Sequence, residues 1–252
     1  MLKELIRSVL LIATMSCMAA GEQLPVTYLA GARFHVSDVA KAREFYGKVF
    51  GFQEKSGTTS GLVAFQINGE QFVEFTANQS GGSAAPLEII FFGTSKKPTA
   101  PLKDQDGRRV EFVESVAGAP GLKAGQKSVS DHLLHLGIGT TDLNRAIAFY
   151  GAHFGCKESW RGPTPDEFRI VIVRVPGPRE EFVEFLLRGE QGSPDHLCLD
   201  VPDIQCAYQT LVERGATTRG KPRIASNGHW VLNLADPNGL RVELMEPRPA
   251  AK

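Results

Sequence analysis

Polar and apolar residues in this chain alternate in short blocks, and the same series of blocks occurs twice. A mostly apolar stretch over 28–36 has the length of a buried strand, and 133–139 repeats it. An aspartate follows each stretch, Asp38 or Asp142, where a helix needs a side-chain oxygen to accept its first free N–H groups. After Asp142, the residues Leu143, Ile147 and Tyr150 recur at helical spacing, which predicts one buried face, and Gly151 and Gly155 punctuate the end. Residue by residue, Asp38-Val39-Ala40-Lys41-Ala42-Arg43-Glu44-Phe45-Tyr46-Gly47 returns 104 positions later as Asp142-Leu143-Asn144-Arg145-Ala146-Ile147-Ala148-Phe149-Tyr150-Gly151. Phe50-Gly51-Phe52 returns as Phe154-Gly155-Cys156 at the same offset. Two or three strands then close each block, ending in Phe72-Val73-Glu74-Phe75 or Phe182-Val183-Glu184-Phe185. A repeat of this kind constrains the architecture before any other feature does.

A second, half-size repeat lies inside the C-terminal copy. His196-Leu197-Cys198-Leu199-Asp200-Val201-Pro202-Asp203 carries a histidine seven residues before a helix-capping aspartate, as His135 stands seven before Asp142. A helix over 204–214 stops at Gly215, the turn Asp236-Pro237-Asn238-Gly239 follows, and a strand over 240–246 closes the module. The N-terminal copy has a reduced counterpart: a strand over 87–92, no evident helix, and Asp106-Gly107-Arg108-Arg109-Val110-Glu111 matching the closing turn and strand. Gly-, Ser- and Pro-rich stretches over 80–86 and 117–130 read as linkers, the second separating the halves. The expected fold is α+β, with tandem βαβββ modules paired into two domains over 26–116 and 131–248.

Composition narrows the function. The 252 residues suit two ordinary domains, and 42% hydrophobic residues suffice for real cores. Lys+Arg and Asp+Glu both number 28, so the basic field that nucleic-acid binding needs is missing, and a small-molecule partner fits instead. Ahead of the modules, Lys3 and Arg7 precede an apolar run over 9–18 and then Ala19-Ala20-Gly21, the three zones of a secretory signal. The run is too short to anchor in a bilayer. Residues 1–21 are therefore expected to be a signal peptide, with export to a bacterial periplasm or beyond and no membrane association after its removal. Removal leaves Cys156, Cys198 and Cys206, an odd number without a complete disulfide framework, and all three read as structural.

The chemistry-bearing residues lie in the C-terminal copy. His135 and His196 stand on opening strands, and Glu184 and Glu243 on closing strands, at equivalent places in successive modules. One such histidine is ordinarily a hydrogen-bonded core or rim residue, and one such glutamate is ordinarily solvated. Four at repeat-related places point to a divalent metal, because imidazole and carboxylate together suit Fe(II), Mn(II), Ni(II) or Zn(II). The N-terminal copy acts as an internal control. It keeps Glu74 and Glu111 but has Gly31 at the first histidine place, the second place falls near Glu88, and its cleft is expected to hold no metal. His35, on the Gly31 face by alternation, is a rim residue or a substitute ligand. His132 and His153 read as exposed, and Trp160 and Trp230 as core or cleft-wall residues, with Trp230 beside His229 expected to touch a ligand.

The helix pattern Asp142-x-x-x-Ala146-x-x-Phe149-Tyr150 after a histidine-bearing strand, with the ending Asp236-Pro237-Asn238-Gly239-x-x-x-Glu243, resembles the vicinal oxygen chelate superfamily. That superfamily includes glyoxalase I, extradiol dioxygenases, fosfomycin-resistance transferases, methylmalonyl-CoA epimerase and bleomycin-resistance proteins. The resemblance spans 26–247 and implies paired modules cupped around one divalent metal that holds two adjacent oxygens of a substrate. Four modules with ligands only in the C-terminal pair is similar to the extradiol dioxygenases. This places the metal on His135, His196 and Glu243 and makes His229 a candidate acid or substrate-orienting group. Where that group carries a tyrosine ten residues before its last ligand, this chain has Asn233, and 182–195 lacks the further histidine expected there. Glu184 completes a His-Glu-His-Glu set resembling glyoxalase I, as a fourth ligand or as the general base that deprotonates the carbon beside a chelated carbonyl.

The expectation is therefore an exported metalloprotein with one divalent ion, acting on a small oxygen-rich molecule as a lyase, isomerase or dioxygenase. The alternative is a protein of the bleomycin-resistance type that sequesters a small molecule without turnover. A homodimer with relic sites is a third reading.

Overall fold

The computed structural model describes residues 23–57, 59, 61–78, 86–96, 100–114, 127–164, 166–189, 195–225 and 228–247. The expected signal peptide and most of the 117–130 linker lie outside the described residues.

The N-terminal copy forms a seven-stranded sheet of β1 (Val26–Val36), β2 (Gln53–Glu54), β3 (Leu62–Gln66), β4 (Phe72–Ala77), β5 (Leu87–Thr94), β6 (Leu102–Lys103) and β7 (Arg109–Glu114). Their spatial order is β2-β3-β4-β1-β5-β7-β6. The C-terminal copy forms an eight-stranded sheet of β8 (His132–Thr140), β9 (Lys157–Pro163), β10 (Phe168–Arg174), β11 (Phe182–Leu187), β12 (His196–Asp200), β13 (Arg223–Ile224), β14 (Trp230–Ala235) and β15 (Arg241–Glu246). Here the order is β13-β14-β15-β12-β8-β11-β10-β9. In both sheets the two opening strands are antiparallel neighbours at the centre, and each runs parallel to the closing strand of its own module. The fold is α+β with two mixed, curled sheets.

Among the described residues three helices complete the modules: α1 (Val39–Glu44), α2 (Leu143–Phe154) and α3 (Ile204–Glu213). Asp38, Asp142 and Asp203 cap them as expected, each carboxylate accepting from backbone N–H groups of the first turn. Gly155 ends α2 at φ 70°, a left-handed conformation that glycine adopts without steric penalty. α1 runs on into a wider turn over Phe45–Val49, where the Phe50 N–H reaches back five residues to the Phe45 carbonyl at 3.0 Å.

One apolar core spans both copies, from Leu29 and Phe92 of the first to Leu136, Phe154 and Leu244 of the second. Tyr46 stacks on Phe75 at 4.3 Å in its own half, whereas Phe154 packs on Phe92 at 5.1 Å and Phe112 at 5.9 Å across the boundary. Each fully buried large apolar side chain contributes on the order of 1.5–3 kcal/mol, so this core supplies most of the adhesion between halves.

Polar contacts fix the mutual orientation of the halves, and they are reciprocal. Tyr46 donates to Asp236 at 3.3 Å, and its repeat mate Tyr150 donates to Asp104 at 3.4 Å. The same closing turns reach the opposite helix start. Asn238 accepts from the Ser37 hydroxyl at 2.9 Å and the Asp38 N–H at 2.8 Å, while Asp106 accepts from the Thr141 hydroxyl at 3.0 Å and its N–H at 3.2 Å. A third pair lies between the opening strands. The Gln71 amide accepts from the Leu133 N–H at 2.9 Å, Glu181 accepts from the Leu29 N–H at 2.5 Å, and Gln71 donates to Glu181 at 3.0 Å.

His132 is half-buried, contrary to the exposed position read from sequence, because it stands on this seam between Glu181 at 3.3 Å and Asp200 at 3.4 Å. His153 is also half-buried, against Phe149 at 4.4 Å. Among the cysteines, Cys156 and Cys198 are buried, but Cys206 lies on the solvent face of α3, so a packing role for it is not supported.

Burial opposes a charge on His132, but the hydrogen bonds and charges of Asp200 and Glu181 outweigh it and raise its pKa to about 9. With the folded-state value raised from 6.5, its contribution to stability is complete below pH 6.5 and disappears as the pH rises through about 9. Urea unfolding across this range is expected to show that decline, and His132→Gln to abolish it. Glu181→Ala leaves the buried Leu29 N–H without its acceptor, while Gln71 still donates to the Leu29 and Leu133 carbonyls, and is expected to cost about 2 kcal/mol in the same assay.

Candidate metal centre

The concave face of the second sheet carries the candidate ligands in two adjacent rows. Across β15, β12, β8 and β11, one row reads Glu243, Cys198, His135, Phe182, and the next reads Arg241, His196, Gly137, Glu184. A β-bulge sets the first row. Pairing between β8 and β12 steps from Leu133↔Leu199 to His135↔Cys198, so the extra residue Leu134 breaks the alternation, and both Leu134 and His135 turn to the concave side.

Three of the four predicted ligands meet directly. His135 Nε2 lies 3.2 Å from His196 Nε2, and Glu184 Oε2 lies 3.3 Å from His196 Nε2 and 3.9 Å from His135 Nε2. Glu243 falls in a neighbouring group that shares His135 and adds Cys198, with ligand atoms within 4.8 Å of one another. Arg241 grips Glu243 and is itself held by Asn233 at 2.7 Å. Both histidines are fully buried. Burial, more than any charge nearby, lowers the His135 pKa to about 4 and keeps the ring neutral, as a metal ligand must be. Burial disfavours the Glu184 carboxylate, but its hydrogen bond to His196, the two imidazoles where they are protonated and Arg241 hold its pKa down, to about 2.

The donor set fits a divalent cation. Two imidazoles face each other through ring nitrogens, with carboxylates on either side, and His135 Nδ1 is buried without a hydrogen-bond partner. Gly137 makes this approach possible. A Cβ at that position would lie 1.8 Å from the His196 ring, so only glycine admits the imidazole.

Above the ligands opens a cleft of about 460 Å³, within the range of small-molecule sites. Glu184 and Glu243 line its floor, with the histidines sunk beneath them. His229 lines the wall, as does Trp160, which is 41% exposed. Trp230, expected to be the ligand-touching tryptophan, instead packs on the core side, because alternation along β14 sends Val231 and Asn233 to the cleft and Trp230 and Leu232 away from it. Reading the strands by alternation would also have found two residues that the histidine–carboxylate search passed over: Cys198 is two beyond His196, and Arg241 two before Glu243.

In the first sheet the equivalent places hold Gly31, Ile89, Glu74 and Glu111. The second histidine place is Ile89, next to Glu88 as expected, and Glu88 itself turns to the rim and meets His35 at 3.5 Å. Arg33 occupies the Gly137 position, and its guanidinium bonds Glu74 at 2.7 Å and lies over the Phe91 ring at 5.7 Å. A covalently attached cation stands next to the retained carboxylate.

This arrangement defines a protein of two curled sheets, one carrying a candidate His/Glu metal cluster and the other keeping only the carboxylates. Residues 29–97 and 132–244 match the model of the glyoxalase/bleomycin resistance protein/dioxygenase superfamily, and the chain belongs to that superfamily. It is similar to the ethylmalonyl-CoA/methylmalonyl-CoA epimerase of Cereibacter sphaeroides, 31% identical over 127 residues that cover 44% of this chain and 95% of that protein. Human mitochondrial methylmalonyl-CoA epimerase is 27% identical over 126 residues, covering 44% of this chain and 72% of that one. Among solved structures, homoprotocatechuate 2,3-dioxygenase of Brevibacterium fuscum in complex with 3,4-dihydroxyphenylacetate superposes with a TM-score of 0.70 at 15% identity, over 90% of this chain and 82% of that one. The 2,3-dioxygenase LapB of Pseudomonas sp. KL28 gives 0.71 at 12% identity, over 91% and 96%. At such identities the structural likeness speaks for the fold.

Gly137→Ala is expected to push His196 off its position and to weaken divalent-metal affinity by about 10–100-fold, the range typical of disturbed ligand orientation. Isothermal titration with Zn(II) measures the affinity, and an unchanged value would show that His196 is not a ligand.

Proposed function

We propose that this protein is a metal-dependent enzyme that moves a proton at a carbon beside a carbonyl in a small, oxygen-rich substrate, as an epimerase, isomerase or lyase does. The observation that carries this reading is the pair of carboxylates lining the cleft floor directly above two fully buried histidines. His135, His196 and Glu243 would hold the ion, which when bound would polarise the substrate carbonyl and acidify the neighbouring C–H.

Glu184 is the base in this reading. Its side chain is the more open of the two, 19% exposed against 9% for Glu243, and among the described residues it has no arginine contact. Arg241 grips Glu243 and would orient it as a ligand. Ile170, Ile172 and Phe182 line an apolar wall that would exclude water, and Arg174 and Arg223 on the cleft lining suit a substrate with an anionic end. The sequence relatives named as epimerases support proton transfer. Asn233 at the place of the dioxygenase tyrosine weighs against ring cleavage. The leader over 1–21 favours action outside the cytoplasm, which fractionation of the full chain tests.

Two measurements test the reading together. Elemental analysis of protein purified without chelators should find about one divalent ion per chain, lost in the His135→Ala/His196→Ala double variant. Methylmalonyl-CoA in D2O should gain deuterium at its α-carbon, and Glu184→Gln should slow that exchange by about 10²–10⁴-fold while retaining the ion. Retained metal without exchange, but with oxygen uptake on catechols by the Fe(II) form, would replace this reading with a dioxygenase. No metal binding with any divalent ion would leave a sequestering protein.

A further inference from the structure

We propose that Cys198 is a ligand in the same metal centre, which makes it a mixed nitrogen, oxygen and sulfur site selective for thiophilic cations. The inference rests on the metal reading above and deepens it. The sulfur is not an isolated thiol near a site. It occupies the middle of the row Glu243, Cys198, His135, on the strand between the two carrying the other donors, and each neighbour is its direct cross-strand partner. The Sγ atom lies 3.9 Å from Glu243 Oε1, and sulfur, carboxylate oxygen and one imidazole nitrogen of His135 are all within 4.8 Å of one another. Zinc bonds run about 2.3 Å to sulfur and about 2.0–2.2 Å to nitrogen and oxygen, so two ligands of one ion lie at most about 4.5 Å apart. The triangle is thus close to the size one ion spans.

A second observation points the same way. His135 is fully buried and has a ring nitrogen, Nδ1, without any partner, in a pocket where every other polar group on the row is charged or thiol. Leu134, Val231 and Met245 pack with Cys198 in one buried apolar cluster. When the ion binds, the thiol loses its proton to solvent, and the thiolate lone pair forms the metal–sulfur bond. No oxidant or other reactant is required. With Cys198 as a donor, His135, Glu243 and Cys198 make a three-ligand set beside His196, and Glu184 is left to face the substrate as a base. Sulfur in the set favours Zn(II) and Co(II) over Mn(II) and Mg(II).

The test is Co(II) loading of the full chain, followed by absorption spectroscopy, with Zn(II) X-ray absorption on the unmutated protein as the measurement that needs no variant. A thiolate-to-cobalt charge-transfer band in the near ultraviolet is expected, absent in Cys198→Ser and Cys198→Ala, with Co(II) affinity lowered at least about ten-fold. The zinc spectrum should show one sulfur neighbour at about 2.3 Å. Cobalt bound at unchanged affinity without the band, and zinc with only nitrogen and oxygen neighbours, would overturn the proposal and leave the metal reading intact. Failure of the unmutated chain to bind either ion would overturn both.

Discussion

Each half of this chain is held by the closing turn of the other. Tyr46 reaches Asp236, Tyr150 reaches Asp104, and the two turns meet the helix starts at Asp38 and Thr141. A buried hydrogen bond contributes only about 1 kcal/mol net, so these contacts are minor beside the shared aromatic core. Their importance is geometric. They fix how the helices lie between the sheets, which leaves both concave faces turned outward, and the ligand rows of the second sheet depend on that curvature.

The two faces use one scaffold to opposite ends. In the second sheet, Gly137 clears room for an imidazole, a bulge turns His135 inward, and the carboxylates on either side converge. In the first, Arg33 fills the space that Gly137 vacates, Ile89 replaces the second histidine, and Tyr28, Phe72 and Phe91 close an apolar cluster over the floor. The carboxylate Glu74 survives because the guanidinium satisfies it. Glycine against arginine, together with the loss of both histidines, thus separates a cluster suited to an ion from one that already contains its cation.

Much of this was legible in the chain. The repeat of 104 residues, the aspartate caps and the Asp-Pro-Asn-Gly turn give the modules and their order. The four ligand candidates follow from equivalence between modules, since that relation is one of position and needs no geometry. The bulge is different: one extra residue shifts the facing of everything before it, so alternation alone cannot say that Leu134 and His135 share a side. Trp160 was undervalued against Trp230 for a related reason, because which tryptophan meets the cleft depends on strand facing and not on adjacency to His229. His132 was misread because its partner Glu181 lies far along the chain and belongs to a seam that only tertiary structure creates. The docking role of the closing turns was hidden in the same way; as sequence they are simply turns.

The guanidinium of Arg33 has a consequence for how the protein meets its supply of ions. A charge carried by the chain is present from synthesis, whereas an ion at the candidate site of the second cleft would have to be acquired. Glu74 of the first sheet therefore needs no ion from the surroundings, and the common core ties that sheet to the second. Scarcity of metal would then leave a folded protein waiting to be loaded, rather than an unfolded one awaiting degradation.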